Sequence, residues 1–215
     1  MQELKNEVFF EDQSLAYERM LEYTYPWEVI RHLDALILAV QNQLNPEFFN
    51  IRNNNIYISK KATVSEHAII EGPCIIDDKA TIGPFSYIRA NTIIGENSIV
   101  GFSCEVKNSI IFNYAKVPHF NYVGDSIIGN HVNLGAGVVC SNMRNDNQTI
   151  LINYNGETIR SGLTKLGAII GSKVNVGASC VLNPGTIISK GVLINPNLSI
   201  KGVVYKETKV TESNA

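Results

Sequence analysis

The sequence predicts an all-β solenoid, with a helical cap before it and one excursion loop inside it. An aliphatic residue recurs at almost every sixth position, helical spacing of apolar residues is confined to the first 50 residues, and the sixfold period stops at 141–168. A fixed short repeat indicates a solenoid, because each unit buries its apolar face only by stacking on its neighbours. The recurring residues are Ile58, Val64, Ile70, Ile76, Ile82, Ile88, Ile94, Val100, Val106, Ile111, Val117, Val123, Ile128, Leu134, Ile170, Val176, Leu182, Ile188, Ile194 and Ile200.

The first segment, residues 1–50, lacks this repeat and is interpreted as a helical cap. Pro26 suits the first turn of a helix, where a backbone N–H has no partner within the helix. Pro46 and the Asn-rich run at 53–55 mark a boundary. The apolar residues with helical spacing are Trp27, Ile30, Leu33, Ile37, Val40 and Leu44.

Residues 51–205 are interpreted as the solenoid domain. A period of six fits neither an amphipathic helix, which repeats every 3.6 residues, nor one long strand, which repeats every two. It fits short parallel strands joined by tight turns, so that three hexads form one triangular coil of about eighteen residues. Gly, Asn and Asp are expected at the corners, because these residues tolerate the dihedral angles that a turn needs. The residues expected there are Gly83, Gly95, Gly101, Gly171 and Asn195.

Two segments depart from the period. Residues 141–168 are polar, with strand-like alternation at Ile150, Ile152 and Tyr154 before an Asn-Gly turn, which predicts an excursion loop or hairpin. Long ordered loops on rigid scaffolds often carry function. The last ten residues, 206–215, are interpreted as a polar tail.

Composition and charge exclude several classes of function. The net charge is −2 and the isoelectric point about 6.1, so the chain lacks the basic field of a nucleic-acid-binding protein. No apolar run is long enough to span a membrane, and no signal-peptide pattern opens the chain. The four cysteines form no metal-type pair and are interpreted as packed free thiols. We therefore expect a cytoplasmic protein without nucleic-acid or membrane partners.

Candidate functional residues gather where the repeat is irregular. The imidazole of histidine titrates at about pH 6.5, so His119 suits a proton acceptor near neutral pH, although a histidine taken alone is more often a packing or surface residue. Arg89 and Lys107 lie 18 residues apart and would stack on successive coils. Together they form either an anion clamp or two solvated corner charges.

The longest irregular stretch carries a resemblance to a known family. The run EVKNS…KVPHFNYVGDSIIGNHVNLGAG…SN resembles the C-terminal acetyltransferase domain of bifunctional N-acetylglucosamine-1-phosphate uridylyltransferase/glucosamine-1-phosphate N-acetyltransferase. It resembles in particular the archaeal sugar-1-phosphate nucleotidylyltransferase/amino-sugar acetyltransferases. Those share the phrase Tyr25-Pro26-Trp27, the loop start Asn142-Met143-Arg144 and the loop end from Gly156 to Gly171.

This resemblance implies a left-handed parallel β-helix of the hexapeptide-repeat type and an acetyl-CoA-dependent acyltransferase that needs no metal. His119 matches the catalytic general base, and Asn142 matches the asparagine beside the reacting amine and thioester. The matches to residues that hold the sugar phosphate are Arg89, Lys107 and Tyr122, and Asn133 matches a sugar-binding asparagine. Ala136 and Ala178 fall at acetyl-coenzyme A positions.

The expected reaction is N-acetylation of an amino-sugar 1-phosphate, with glucosamine 1-phosphate as the acceptor. Two early-loop lysines of the archaeal type are replaced by Gln148 and Leu151. Other hypotheses are therefore acylation of another amine or hydroxyl on a nucleotide sugar, and a non-catalytic sugar-phosphate-binding or regulatory scaffold. A γ-carbonic-anhydrase-like metal site is disfavoured, because the histidines provide no closely spaced pair.

The resemblance also implies a partner arrangement. Related β-helix acyltransferases are homotrimers with sites between subunits, and the loop 141–168 would then reach across to a neighbour. No nucleotidylyltransferase domain is recognisable, so uridylyl transfer is not expected of this polypeptide, and a separate nucleotidylyltransferase is a candidate partner.

Overall fold

The computed structural model describes residues 2–11, 14–205 and 209–212. From residue 56 onward the chain winds into a parallel β-solenoid, whose short strands stack into three faces around one axis. This confirms the predicted all-β solenoid and is consistent with the left-handed β-helix that the resemblance implies. The faces are numbered here in the order in which the chain crosses them.

The three faces are sheets of nine, eight and seven strands. The first face comprises Phe49–Arg52, Ile56–Ser59, Cys74–Ile76, Thr92–Ile94, Ser109–Ile111, Ile127–Ile128, Ala168–Ile170, Thr186–Ile188 and Val203–Val204. The second comprises Thr63–Val64, Thr81–Ile82, Ile99–Phe102, Lys116–His119, Asn133–Leu134, Asn175–Val176, Leu193–Ile194 and Lys209–Val210. The third comprises Ile69–Ile70, Tyr87–Ile88, Glu105–Lys107, Tyr122–Gly124, Val139–Cys140, Val181–Leu182 and Ser199–Ile200.

The aliphatic ladder fills the interior of the solenoid. Ile76 pairs with Ile94, 18 residues later, and both are fully buried in one continuous core. Ile94 pairs with Ile111, 17 residues later, so each slip in the period marks a coil that is one residue shorter. Burying an aliphatic side chain contributes about 1.5–3 kcal/mol, and the stacked columns account for most of the solenoid's stability.

The corners of the coils use left-handed backbone, but at residues other than the expected glycines. Lys79, Phe85 and Tyr114 have φ of 55°, 58° and 62°, whereas none of the four expected corner glycines has a positive φ. A Cβ on Gly101 would lie 1.9 Å from the carbonyl oxygen of Pro118 on the next coil. The dihedral role predicted for these glycines was therefore wrong. Glycine is needed there because the next coil stacks so closely that it leaves no room for a side chain.

The N-terminal segment lies along the first face of the solenoid. It contains 3-10 helices at Gln2–Leu4 and Pro46–Phe48 and α-helices at Asn6–Phe9, Tyr17–Met20, Pro26–Arg31 and Leu33–Gln41. Pro26 opens its helix as predicted, and the Glu28 carboxylate accepts hydrogen bonds of 3.0 Å from the backbone N–H groups of Thr24 and Tyr25. Strand Phe49–Arg52 then pairs antiparallel with Ile56–Ser59 and leads into the first coil.

The first face is apolar on its outer side because this segment covers it. Ile75, Ile93 and Ile110 point outward from the solenoid, yet all are buried with residues of the helices in a second core. The sequence contains a second pattern, distinct from the sixfold period, that indicates this arrangement. On the first face, adjacent isoleucine pairs occur on six successive coils, at Ile75-Ile76, Ile93-Ile94, Ile110-Ile111, Ile127-Ile128, Ile169-Ile170 and Ile187-Ile188.

The excursion between the coils contains the expected hairpin, formed by Leu151–Tyr154 and Glu157–Arg160. Ile150 and Ile152 are each 1% exposed and join the second core. The hairpin therefore packs on its own chain.

The C-terminal end departs from the polar tail expected at 206–215. Lys209–Val210 forms a strand that pairs in parallel with Leu193–Ile194, and Val210 is buried in the solenoid core. Residues 206–208 and 213–215 lie outside the described residues. Across the described part of the chain, no helix has the length and apolar character needed to cross a membrane.

Candidate functional site

A polar corner follows the third face, and Asp125 lies at its centre. The Asp125 side chain is 7% exposed. Its Oδ1 accepts a hydrogen bond of 2.8 Å from Nδ2 of Asn108, and its Oδ2 accepts one from Nδ2 of Asn142. The Lys107 ammonium lies 3.6 Å from the same Oδ2. These three partners offset the cost of burying the carboxylate, and the carboxylate in turn fixes the positions of Lys107 and Asn142.

The coil length explains why these residues meet. Asn108, Asp125 and Asn142 are spaced by 17 residues, which is the coil length of this part of the solenoid. They therefore occupy the same position on three successive coils. Asn108 and Asp125 have φ of 46° and 48°, a region that Asn and Asp tolerate better than most residues. We call this column of three residues the Asp125 corner.

Arg89 lies one coil below Lys107 and has its own carboxylate partner. The Arg89 guanidinium donates to Glu105 Oε1 at 2.8 Å, and it lies 5.6 Å from the ring centre of Tyr87. The Glu105 hydrogen bond raises the pKa of Arg89, so the guanidinium stays charged. The expected anion clamp of Arg89 and Lys107 is thus present as stacked cations, but each is neutralised by a carboxylate of the following coil.

Tyr122 reaches the same corner from within the third face. Its hydroxyl passes over Gly124, where an added Cβ would lie 2.5 Å from the hydroxyl and 2.9 Å from Nδ2 of Asn142. Burial, followed by the negative charges of Asp125 and Glu105, raises the pKa of Tyr122, so its hydroxyl remains protonated at neutral pH. Tyr122 is therefore a hydrogen-bond donor beside Asn142.

His119 lies at the corner before the third face, as the last residue of the strand Lys116–His119 on the second face. The strand Tyr122–Gly124 separates it from Asp125, and three residues span about 10 Å. The His119 backbone carbonyl accepts from Gly137 N–H, and the Ala136 carbonyl accepts from Ser179 N–H. His119, Ala136 and Ala178 are accordingly stacked on successive coils, and we call this column the His119 corner.

The two halves of the His119 corner differ in side-chain size. On the coils before His119 an exposed aromatic ridge follows the corner, with ring centroids 5.4–5.7 Å apart in edge-to-face contact. The ridge consists of Phe85, Phe102 and Phe120, which are 61%, 40% and 61% exposed. On the coils after His119 the corner carries the small residues Ala136 and Ala178. Asn133 lies apart from both corners, on the second face between Lys116 and Asn175.

The structure therefore groups some of the residues selected from the sequence and separates others. Lys107, Tyr122 and Asn142 meet at the Asp125 corner, with Arg89 beside them on the previous coil. His119, Ala136 and Ala178 share the opposite corner. Sequence reasoning missed Asp125, Asn108 and Glu105. The 17-residue spacing of Asn108, Asp125 and Asn142 was the signal that could have revealed the first two.

The chemistry of the Asp125 corner is that of a neutral, polar binding surface. Each of the two cations is paired with a carboxylate of the following coil, and amide and phenol groups lie beside them. Such a surface can hold a ligand that carries both signs of charge. Among the residues that the structure describes, no group of His, Cys, Asp and Glu side chains is arranged to hold a metal ion.

The sequence is similar to a protein-family model and to several known proteins. The family model described as the GMPPB C-terminal domain matches residues 70–154. The chain is 38% identical over 192 residues to the "Bifunctional protein GlmU" of Methanococcus maripaludis, covering 86% of this chain and 46% of that protein. It is 39% identical over 189 residues to the "Bifunctional sugar-1-phosphate nucleotidylyltransferase/acetyltransferase" of Sulfurisphaera tokodaii, covering 85% and 46%. These matches confirm the resemblance inferred from the motifs, and the chain spans about half the length of these relatives.

Solved structures with a similar chain path include two acetyltransferases. The acetyltransferase domain of PglB from Neisseria gonorrhoeae, in complex with acetyl coenzyme A, is 20% identical, with 74% of this chain and 70% of that chain covered and a TM-score of 0.27. The polysialic acid O-acetyltransferase OatWY is 17% identical, with 70% and 86% covered and a TM-score of 0.30.

Proposed function

We propose that the chain is an acetyl-CoA-dependent N-acetyltransferase that acts on an amino-sugar 1-phosphate, with glucosamine 1-phosphate as the acceptor. The observation that carries the proposal is the charge-balanced Asp125 corner, where Arg89 and Lys107 pair with Glu105 and Asp125. Similarity to bifunctional nucleotidylyltransferase/acetyltransferase proteins over most of this chain supports the same reaction class.

Charge complementarity favours this acceptor over a simple phosphate. An amino-sugar phosphate carries a phosphate dianion and an ammonium group, so it presents both signs of charge. The phosphate would displace the carboxylates from Arg89 and Lys107 and take charge-assisted hydrogen bonds from both cations. The Glu105 carboxylate, once released, would attract the ammonium group. A sugar phosphate without an amine would leave that carboxylate without a partner, at a cost.

The proposed chemical step is acyl transfer from sulfur to nitrogen. A protonated amine has no lone pair, so His119 removes a proton from the ammonium before attack, and base catalysis of this kind contributes about 10²–10⁴ in rate. The amine nitrogen then bonds to the acetyl carbonyl carbon, the carbon–sulfur bond breaks, and the coenzyme A thiolate accepts the proton that nitrogen loses. Asn142 is the amide donor proposed for the acyl oxygen, and Ala136 and Ala178 leave room for the coenzyme.

The proposed site is completed by a second copy of the chain in a homotrimer. Within one chain His119 and Asn142 lie about 10 Å or more apart, whereas a base must come within hydrogen-bond distance of its substrate. The exposed aromatic ridge beside His119 supports contact between copies, because exposed apolar surface of this kind is usually covered in an assembly. The His119 corner of one copy would then face the Asp125 corner of the next.

A different acceptor is the second candidate. Gln148 is exposed and uncharged, and Leu151 is 41% exposed on the outside of the hairpin, so neither position offers a cation to a phosphate. Another amine or hydroxyl of a nucleotide sugar is then the acceptor. A nucleotidylyltransferase is the partner class that would use an acetylated sugar 1-phosphate, as the combined name of the Sulfurisphaera tokodaii relative suggests.

Thiol release from acetyl-CoA tests the proposal directly. We expect release that depends on glucosamine 1-phosphate, with glucosamine and glucose 1-phosphate as controls that lack the phosphate and the amine respectively. Turnover with a nucleotide amino sugar alone would favour the second candidate. Tight binding of glucosamine 1-phosphate without turnover, in folded protein of measured trimeric mass, would contradict the enzyme and support a sugar-phosphate-binding scaffold.

A further inference from the structure

A polar cavity lies beside the Asp125 corner. It has a volume of about 390 Å³ and is formed where the N-terminal helices, the corner column and the returning end of the excursion loop meet. This size falls in the range of small-ligand sites. Its polar lining comes from Arg31 and Asp34 of the helices, Asn108 and Asp125 of the Asp125 corner, Asn91 on the coil before that corner, and Thr164 and Lys165 of the loop. Arg89, Lys107 and Tyr122 take no part in it.

The cavity contains two cations without acidic partners. Among the described residues, no carboxylate lies within ion-pair distance of Arg31 or Lys165. This contrasts with Arg89 and Lys107, each of which is neutralised. Because the two cations come from segments about 130 residues apart in sequence, only the folded chain directs both toward one space. An anion there would gain charge-assisted hydrogen bonds without displacing a carboxylate.

The backbone of the loop holds Arg31 in position. The Arg31 guanidinium donates a hydrogen bond of 2.7 Å to the carbonyl oxygen of Ser161. An added Cβ on Gly162 would lie 1.9 Å from the same nitrogen, and Gly162 has φ of +72°. Gly162 is therefore the residue that lets the guanidinium lie against the loop and face the cavity.

The rest of the lining suits hydroxyl groups. Asp34 and the side-chain oxygen of Asn108 are acceptors, Thr164 is both donor and acceptor, and the Asn91 amide supplies one group of each kind. The cavity has no aromatic residue in its lining, so it offers no stacking surface for a nucleobase. We propose that this cavity binds a phosphorylated sugar, with the phosphate between Arg31 and Lys165 and the hydroxyls against Asp34, Asn91 and Thr164.

This binding site is separate from the acceptor site proposed on the third face, and it stands whether or not that proposal holds. Asp125 lies between the two, since it lines the cavity and also holds Lys107 and Asn142. A ligand at Asn108 would therefore contact the network that positions Asn142.

Calorimetric titration with glucose 6-phosphate tests the proposal, because this sugar phosphate has no amine to acetylate. We expect binding to the wild-type chain that weakens roughly 10- to 100-fold in Lys165→Gln, the loss expected for one charged hydrogen bond. Gly162→Ala should weaken binding to a similar degree, because it displaces Arg31. Glucose, which has no phosphate, should bind at least about tenfold more weakly than glucose 6-phosphate.

Two control variants separate this cavity from other cationic surfaces. Lys60→Gln removes an exposed lysine of the first coil that does not line the cavity, and it should leave binding unchanged. Arg89→Gln, which removes a cation that neither lines the cavity nor pairs with Asp125, should also bind glucose 6-phosphate as the wild type does, whatever its effect on acetyl transfer. Equal binding by Lys165→Gln and Lys60→Gln, loss of binding in Arg89→Gln alone, or no heat at millimolar glucose 6-phosphate would overturn the proposal.

Discussion

The two corners that border the third face differ in how completely one chain satisfies them. At the Asp125 corner, polar side chains are interlocked, and the central carboxylate has partners on the coils before and after it. At the His119 corner, the side chains are exposed, with phenyl rings on one side of the imidazole and alanines on the other.

This difference suggests a division of roles. The interlocked corner is organised by the chain itself, and its central carboxylate holds Lys107 and Asn142 in place before any ligand binds. The exposed corner keeps a titratable imidazole accessible beside apolar surface, which suits contact with a cosubstrate and with a second copy of the chain. The following predictions test this contrast.

The largest expected effect is on catalysis at the exposed corner. His119→Ala should lower the rate of thiol release from acetyl-CoA by about 10²-fold or more, because the base that deprotonates the amine is lost. The control is His67→Ala, which removes an exposed imidazole from the same corner near the start of the solenoid, where it stacks on Phe85. Equal rates in the two variants would remove the role assigned to His119.

The next effect is on stability at the interlocked corner. Asp125→Ala leaves the Lys107 ammonium and two amides without their shared acceptor, and we expect a loss of roughly 3 kcal/mol in the free energy of unfolding. Urea denaturation measures this loss. Asp146→Ala is the matched control, since it removes a carboxylate that pairs with Arg144 in solvent, and it should cause no measurable change. A stable Asp125→Ala variant would show that the corner is not organised by this carboxylate.

A pH effect on stability is expected from Asp77, a partly buried carboxylate. Burial, with the negative charges of Asp78 and Glu96 nearby, raises the pKa of Asp77 to about 6. Because the folded-state pKa is raised, the stability linked to the proton is present at low pH and is lost as the pH rises to about 6.

Asp77→Asn removes this penalty while keeping the side-chain oxygen that accepts from Asp78 N–H. At pH 8 the variant should be more stable than the wild type by roughly 2 kcal/mol, the figure being reduced for partial exposure to solvent. At pH 4 the two should be nearly equal. Denaturation curves at both values measure the difference, and a gap that does not change with pH would refute the assignment.

The smallest effect on the folded chain is expected at the aromatic ridge. Phe120 is 61% exposed, so Phe120→Ser should change the stability of a single chain by less than about 0.5 kcal/mol. If the ridge packs between copies, however, light scattering should show a shift from trimer to monomer. Tyr114→Ser is the control, because Tyr114 is 44% exposed at a different corner and stacks on His131. A trimer that survives Phe120→Ser and dissociates in Tyr114→Ser would place the interface elsewhere.

The sixfold period predicted the interior of the solenoid well, because each inward position must be aliphatic to fill the same narrow axis. It predicted less about the outside. The helical pattern from Pro26 onward indicated helices. Which face of the solenoid these helices cover was indicated only by the isoleucine pairs, such as Ile75-Ile76, that recur along the first face.

The candidate site was predicted residue by residue but not as an arrangement. The motifs selected His119, Lys107 and Asn142, and their spacing gave no indication that they divide between two corners. The carboxylates that neutralise Arg89 and Lys107 were missed as well, because an ion pair between neighbouring coils depends on where each side chain leaves its corner.

The repeat alone specifies the solenoid, its coil length and the coils at which that length changes, since each buried position must obey it. The folded chain was needed to see which polar groups share a corner, that Arg31 and Lys165 line one cavity, and that the hairpin packs on its own chain. The physical reason is that burial of aliphatic residues imposes a local, periodic constraint. Charges and amides on the outside are constrained only by their neighbours in space, which the period does not specify.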